Sequence, residues 1–224
     1  MGYTLDKGIF HSFINAKIGG TDMQREGKMK NGLAVNNSYG KSGTAHFLDG
    51  GAKIGTNINM GRGNTIVLGA GYEWIAPLAS TAFASPEINN DFVQNLKCER
   101  VFSSEVGYQL ETSWLHANIN GFYSRTEDGT EWQNFYFDDI NSFSYVSMNN
   151  IKKAYYGVEV GLNFKINSAF NVKAIGTWSD AKNMNNSSVR YMNSTKGTYT
   201  DDVCMNKGMR ESGTPLSAYS LCLS

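Results

Sequence analysis

Residues 153–179 read KAYYGVEVGLNFKINSAFNVKAIGTWS. Apolar residues occupy every second position from Tyr156 to Ile166, and the alternation resumes from Phe170 to Trp178 after the link Asn167-Ser168-Ala169. A period of two indicates extended strands with two unlike faces, and the short link predicts an antiparallel hairpin. One face of this hairpin is apolar throughout, while the other carries glutamate, asparagine and lysine. The two faces therefore meet two different solvents.

The same alternation recurs along most of the chain. It predicts further strands at about 10–18, 48–60, 66–74, 102–110 and 115–124, and one that begins at Leu216. Short links, such as Gly61-Arg62-Gly63-Asn64 and Glu111-Thr112-Ser113, alternate with long polar segments at about 25–42, 76–97, 126–151 and 180–213. Outer-membrane β-barrels show this asymmetry, whereas a β-sandwich has connections of more even length.

Charged residues fall on one parity of the predicted strands. These residues are Asp49, Lys53, Glu73, Glu105, Glu159, Lys165 and Lys173. Because a charge at mid-depth on a lipid face is costly and an aqueous lumen accepts either sign, the sorting is typical of a barrel wall. Any half-buried sheet also sorts its charges, so the loop asymmetry and the strand length carry the membrane assignment.

Aromatic residues cluster near the predicted strand ends, as in the interfacial girdles of membrane barrels. The residues are Tyr72, Trp74, Tyr108, Trp114, Tyr123, Tyr156 and Trp178. The predicted fold class is therefore all-β: an antiparallel transmembrane β-barrel segment of about eight meandering strands, with short periplasmic turns and long extracellular loops.

The composition agrees with this class. The 224 residues contain 24 glycines and 3 prolines, and the mean hydropathy of -0.37 is ordinary for a barrel whose strands are half polar. The formal net charge of zero gives no reason to expect binding to nucleic acid. Cys98, Cys204 and Cys222 form no CxxC pair, so neither a disulfide framework nor a zinc site is expected.

Five stretches are distinctive: 76–91 (APLASTAFASPEINND), 95–97 (NLK), 103–108 (SSEVGY), 117–125 (ANINGFYSR) and 156–160 (YGVEV). They resemble the late barrel of TonB-dependent outer-membrane receptors from Bacteroides-like bacteria. In such receptors a strand that ends in an aromatic-x-Ala-Pro pattern opens an outer loop, and a Glu-x-Gly-Tyr strand returns. The resemblance extends over about 9–224.

The resemblance implies a barrel of about 22 strands with an N-terminal plug domain, a TonB partner and a small nutrient ligand. The start of the chain, Met1 to Asp6, shows no signal peptide, and the sequence shows no plug-like segment. Residues 1–224 are thus expected to be a partial receptor barrel domain without plug or closing strands. The expected location is the Gram-negative outer membrane, in contact with its lipid, and the expected activity is nutrient uptake without catalysis.

Motifs for catalysis or for metal binding are absent from the sequence. His11, His46 and His116 are far apart, and the acidic pairs at 127–128, 138–139 and 201–202 do not match a calcium loop. No nucleophile motif occurs, so no cofactor or metal is expected. The candidate ligand contacts lie in one aromatic outer loop: Trp132, Phe135, Tyr136, Asp138 and Asp139. The same aromatic segment also suits a hairpin that extends the barrel above the membrane.

Two other functions fit the pattern. Eight strands can close into a self-contained barrel that serves as an adhesin or structural protein. A soluble glycan-binding β-sandwich is the third reading, and it requires a second layer packed against the apolar face.

Overall fold

The computed structural model describes residues 1–137, 141–193 and 198–223, with the backbone alone at 134, 135, 137, 142–145 and 193. Nearly all of this chain is β-structure. The elements are β1 (Gly2–Lys7), β2 (Phe10–Met23), β3 (Glu26–Gly27), β4 (Gly40–Lys41), β5 (Ala45–Gly61), β6 (Asn64–Ile75), α1 (Ala79–Ala82), β7 (Glu99–Glu111), β8 (Leu115–Phe137), β9 (Ser142–Lys165), β10 (Asn171–Asn183), β11 (Ser187–Asn193), β12 (Thr198–Cys204) and β13 (Ser217–Leu223).

Nine strands form one antiparallel meander in the order β1-β2-β5-β6-β7-β8-β9-β10-β13. All of the predicted strands are present, and β1 adds one that the sequence pattern did not predict. In the described part of the chain β1 and β13 do not pair with each other, so the sheet is open. No helix among the described residues is long and apolar enough to cross a membrane.

The strand register confirms that the predicted apolar positions share one face. One row of paired residues crosses eight strands: Phe10, Ile58, Ile66, Tyr108, Ile119, Val160, Gly176 and Tyr219. The adjacent residues, including Glu159 and Thr177, are paired on the opposite face. We call the first the apolar face and the second the polar face. The seven charged residues named above all lie on the polar face.

Nothing in the described chain covers the apolar face. Val106 is 61% exposed, Ile54 is 56% exposed and Ile119 is 46% exposed, although each lies in the middle of its strand. The buried apolar residues instead form two small clusters near the long connections, around Phe83 and around Met148. An apolar surface that runs across a whole sheet is far larger than a soluble monomer exposes, and it is the kind of surface that the outer side of a membrane barrel presents.

The short connections lie at one rim and the long ones at the other. The short ones are residues 8–9, 62–63, 112–114 and 166–170, the last of which is longer than the predicted three-residue link. The long segments contain further structure. Residues 126–137 and 142–151 continue β8 and β9 as a hairpin, which was one of the two expectations for the aromatic segment. The elements β3, β4, α1, β11 and β12 were not predicted.

Glycines of the polar face give room to long side chains from neighbouring strands. A Cβ at Gly69 would lie 2.7 Å from the Glu105 carboxylate, and one at Gly161 would lie 2.2 Å from Asn118. At Gly157 the conflict involves the backbone, because a Cβ would lie 2.4 Å from the carbonyl oxygen of Trp178. The sheet can widen there only by distorting the β9–β10 ladder.

We therefore expect Gly157→Ala to destabilise the protein by about 1–3 kcal/mol, as overpacking does. Gly121→Ala is the matched control, since its Cβ would lie 3.9 Å from the nearest atom, which is an ordinary contact. The control should change stability by less than about 0.5 kcal/mol. Thermal unfolding in detergent, followed by circular dichroism, measures both. Equal midpoints for the two variants would contradict the packing argument.

Candidate functional site

The polar face carries a network of charges along the middle strands. The ammonium groups of Lys17 and Lys53 lie 2.9 Å and 3.5 Å from the Glu73 carboxylate. Asp49 accepts a hydrogen bond of 2.7 Å from the Thr21 hydroxyl. Both signs of charge are thus present on a face that meets water, which suits the lumen of a barrel.

A shallow groove of about 300 Å³ runs across this face between two aromatic rings. Phe13 lies over Gly55 at one end, and Phe122 lies over Gly157 at the other. Glu105 lies between them in the same register row. Phe13 is an apolar residue on the polar face, and its ring packs over the glycine of the next strand.

A second cavity, of about 190 Å³, lies at the rim of the long connections. Its centre is Lys153, which is only 8% exposed. The Lys153 ammonium forms ion pairs with Glu131 on β8 and, at 3.0 Å, with Glu211 in the segment before β13. The other lining residues are Gln133, Met148, Ile151, Asn183, Cys204, Asn206, Arg210 and Ser212. The cavity is therefore mostly polar, and Met148 and Ile151 give it an apolar wall.

The carboxylates around Lys153 outnumber its single charge. Burial works to lower the pKa of Lys153, but its hydrogen bonds to Glu131 and Glu211 outweigh burial and hold the pKa above its ordinary value. Burial raises the pKa of Glu99, and repulsion from Glu131 adds to the rise while Lys153 opposes it. The lysine thus stays charged, whereas Glu99 binds a proton more tightly than a free glutamate does.

Glu99 makes the stability of the protein depend on pH. Its pKa is higher in the folded chain than the ordinary 4.5, so the folded state binds more protons and loses stability as the pH rises from 4.5 through the raised pKa. We expect Glu99→Gln to remove this loss and to raise the thermal midpoint at neutral pH relative to the wild type. The exposed Glu87 provides the control Glu87→Gln, which should leave the pH profile unchanged. A profile of Glu99→Gln that follows the wild type would contradict the assignment.

Residues 76–97, which we call the mouth segment, connect the two sides of this rim. On one side Phe83 stacks on Phe92 with ring centroids 4.5 Å apart, in a cluster with Met23 of β2. The Arg25 guanidinium donates a hydrogen bond of 2.6 Å to the carbonyl oxygen of Pro86. These contacts fix the first part of the segment to the ends of β2 and β5.

On the other side the mouth segment is bound to the outer ends of β8, β9 and β12. Asn149 donates a hydrogen bond of 2.8 Å to the carbonyl oxygen of Gln94. The buried Asn89 side chain donates to the Tyr199 hydroxyl on β12. The segment is therefore held at both ends at the long-connection rim.

The predicted ligand contacts lie on or beyond the outer part of β8. Trp132 is half-buried, and Tyr136 is 48% exposed and bonds to Asn141 through its hydroxyl. Phe135 pairs with Ser144 in the same hairpin. Asp138 and Asp139 lie outside the described residues. The aromatic segment is thus a hairpin extending from the sheet, and the spacing of Trp132 and Tyr136 places both on one of its faces.

Two of the acidic pairs and two of the histidines make local contacts. Asp128 lies 2.7 Å from the Arg100 guanidinium, and Asp201 forms a bidentate pair with Arg190. His11 and His46 lie 2.8 Å and 2.7 Å from single aspartates. Among the residues that the structure describes, no three histidine, cysteine or acidic side chains converge as a metal site would require.

The Lys153 cluster was not predicted from the sequence. Lys153 lies on the polar parity at the start of the most regular strand, which is a visible signal. Its partners are remote in sequence. In addition, the β8–β9 register shifts twice between Thr126 and Glu131, so the sequence alternation does not show on which face Glu131 lies.

No protein-family model and no curated protein matches the sequence. Among solved structures, the chain is similar to one titled "Copper transporter OprC", with a TM-score of 0.64 and 13% sequence identity. The match covers 85% of this chain and 31% of that one, so the chain spans about a third of the transporter's length. At this identity the match shows the fold alone. Together with the uncovered apolar face, it shows that the chain is an antiparallel segment of a transmembrane β-barrel wall.

Proposed function

We propose that the chain forms part of the wall of a TonB-dependent outer-membrane receptor that takes up a nutrient across the outer membrane. The observation that carries the proposal is the division of one continuous sheet into a lipid-compatible face and a charged face, with short turns at one rim and long structured connections at the other. A wall of this kind encloses a water-filled path. The similarity to a copper transporter supports a role in transport.

The polar face would line the path of the nutrient, and the long-connection rim would face the outside. In this proposal Trp132, Phe135, Tyr136, Asp138 and Asp139 contact the nutrient at the mouth. The complete receptor would also contain a plug domain inside the barrel and would draw energy from TonB. The chain, residues 1–224, would supply one portion of the barrel domain, because the sheet is open and spans about a third of the similar transporter.

The two other readings are less well supported. A self-contained barrel needs a ladder between its first and last strands, and β1 and β13 form none within the described residues. A soluble glycan-binding sandwich needs a second layer on the apolar face, where Val106 is exposed instead.

Cysteine labelling tests the placement of the two faces. Single cysteines are introduced at Ile119, Asn120 and Tyr136 in a chain whose own three cysteines are changed to serine. In intact cells a membrane-impermeant maleimide should label Tyr136→Cys readily, Asn120→Cys more slowly and Ile119→Cys very little. Recovery of the chain in the soluble fraction, or labelling of Ile119→Cys at the rate of Tyr136→Cys, would overturn the proposal.

Uptake tests the transport role. A strain without the gene is compared with its parent for accumulation of four labelled probes: iron(III) citrate, cyanocobalamin, maltoheptaose and copper. Accumulation of one probe should fall, and removal of TonB should lower it equally without a further loss in the double mutant. Unchanged accumulation of all four probes would contradict uptake of these nutrient classes by the receptor. A loss that does not depend on TonB would favour a passive barrel.

A further inference from the structure

Four cations lie on the apolar side of the sheet just beyond its outer aromatic residues. Arg100 is two residues beyond Phe102 on β7, and Arg125 is two residues beyond Tyr123 on β8. On β10 the next residue of this face after Trp178 is Asp180, which binds the side chains of Lys182 and Arg210. We call Arg100, Arg125, Lys182 and Arg210 the basic belt.

The aromatic residues below the belt mark the limit of the lipid face. They are Tyr72, Phe102, Tyr123, Tyr156, Trp178 and Tyr219, and they cross the register rows diagonally from β6 to β13. This diagonal is expected, because barrel strands tilt by about 35–45° from the barrel axis. Aromatic residues that lie at one depth in the membrane therefore belong to successive register rows on neighbouring strands. The basic belt follows the same diagonal. Two residues along a strand span about 7 Å, which places Arg100 and Arg125 at headgroup depth.

Each cation of the basic belt is more exposed than the acid that holds it. The Arg100 side chain is 44% exposed, against 15% for Asp128, and the Arg125 side chain is 43% exposed, against 22% for Glu127. The Asp180 side chain is 5% exposed, beneath Lys182 at 3.0 Å and Arg210 at 3.1 Å. The Tyr156 hydroxyl donates a further hydrogen bond of 3.1 Å to Asp180.

The acids therefore position the cations and the cations form the outer surface. The lysine and arginine heads retain donors that their carboxylate partners do not occupy, since a guanidinium offers five N–H groups and an ammonium three. Such a surface suits an anion with several oxygens, and guanidinium pairs with phosphate in a fork geometry.

We propose that the basic belt binds the phosphate groups of the anionic glycolipid that forms the outer leaflet of the outer membrane. The inference rests on the proposed function, since it requires that the apolar face lies in that membrane. The occupant follows from position and charge, because the belt continues the apolar face and lies where lipid headgroups lie. Arg210, which also borders the Lys153 cavity, is held at this face by Asp180. Clusters of basic side chains at this depth recognise anionic headgroups in other membrane proteins.

The test uses the full chain purified in detergent from outer membranes, with co-purified phosphorylated lipid A measured by mass spectrometry. The belt variant is Lys182→Gln/Arg210→Gln/Asp180→Asn, which removes two cations together with the acid between them and so leaves no unpaired charge. The matched control is Lys17→Gln/Lys53→Gln/Glu73→Gln, which makes the same change on the polar face. Thermal unfolding of both variants shows whether each is folded. Arg125→Gln/Glu127→Gln is the second belt variant, for use if the first does not fold.

The wild type and the control should retain the glycolipid. The amount that co-purifies with the first belt variant should fall at least about tenfold, since each cation contributes about fivefold to the affinity for the anionic lipid. The purified proteins should bind vesicles that contain bisphosphorylated lipid A in the same order, with the wild type and the control above the belt variant. None of them should bind vesicles that contain dephosphorylated lipid A. Equal retention by a folded belt variant and the control would overturn the inference, as would displacement by inorganic phosphate. A wild type that lies in the outer membrane but carries no phosphorylated lipid refutes the belt alone. A wild type found outside that membrane refutes the proposed function as well.

Discussion

Val160→Arg is expected to destabilise the membrane-inserted chain by about 2–4 kcal/mol, the cost of an arginine on the lipid face near the middle of a barrel wall. Val160 lies on the apolar face of β9, in register with Ile119 and Gly176. Neither neighbour can pair with a guanidinium, and both strand ends are several residues away. The measurement is the urea midpoint of the chain in lipid vesicles, followed by tryptophan fluorescence.

Thr177→Arg is the control for this experiment. Thr177 lies on the adjacent strand β10 but on the polar face, in register with Glu159, so that the new guanidinium meets water and a carboxylate. Its effect should stay within about 0.5 kcal/mol of the wild type. If the two arginines cost the same, or if Val160→Arg behaves normally in a chain that is soluble without detergent, the apolar face does not contact lipid.

The architecture could be predicted because membrane strands are constrained on both faces. Lipid on one side and water on the other impose a strict alternation, and the alternation from Tyr156 to Ile166 appears in the structure as two faces of one sheet. Beyond the apolar face this constraint is absent, and the sequence pattern no longer predicts the strands. Residues 126–137 and 142–151 continue β8 and β9 beyond the aromatic girdle, where both faces are free to be polar and the period of two is lost.

Strand β1 was missed for a different reason. It consists of Gly2–Lys7, which contain only two apolar positions of one parity, Tyr3 and Leu5. Such a short alternation cannot be distinguished from chance in a sequence. Its register with β2, from Gly2 opposite Asn15 to Lys7 opposite Phe10, becomes visible only in the structure.

The candidate sites could be predicted less well than the fold. The aromatic hairpin was visible because Trp132 and Tyr136 lie close together in the sequence. The Lys153 cluster joins Glu131, Lys153 and Glu211, which come from three separate segments. The basic belt likewise depends on Arg210, which reaches Asp180 only because the segment before β13 pairs with β10 at Lys182. Contacts of this kind depend on register and loop packing, which local patterns do not encode.

Lys153→Met is expected to be the most damaging substitution at the rim. It leaves Glu131 and Glu211 without their shared cation, and it removes a positive charge that opposes the repulsion of Glu99 by Glu131. Removing one partner of a buried pair costs about 3–5 kcal/mol, because the remaining charge is poorly solvated. The side chains of Glu131 and Glu211 are 37% and 31% exposed, so water offsets part of the loss and we expect about 2–3 kcal/mol.

Two comparisons separate the loss of this charge from a general effect of losing a lysine. Lys17→Met removes an ammonium that is 60% exposed and pairs with Glu73 at 2.9 Å, so thermal unfolding should shift little. Lys153→Met/Glu131→Gln/Glu211→Gln neutralises the whole cluster and should recover most of the stability, because replacing a buried ion pair by neutral groups is often tolerated. If the triple variant is no more stable than Lys153→Met, the uncompensated charges of Glu131 and Glu211 are not the cause of the lost stability. If it recovers, the electrostatic balance around Lys153 is what holds the end of the β10–β13 connection against the outer hairpin.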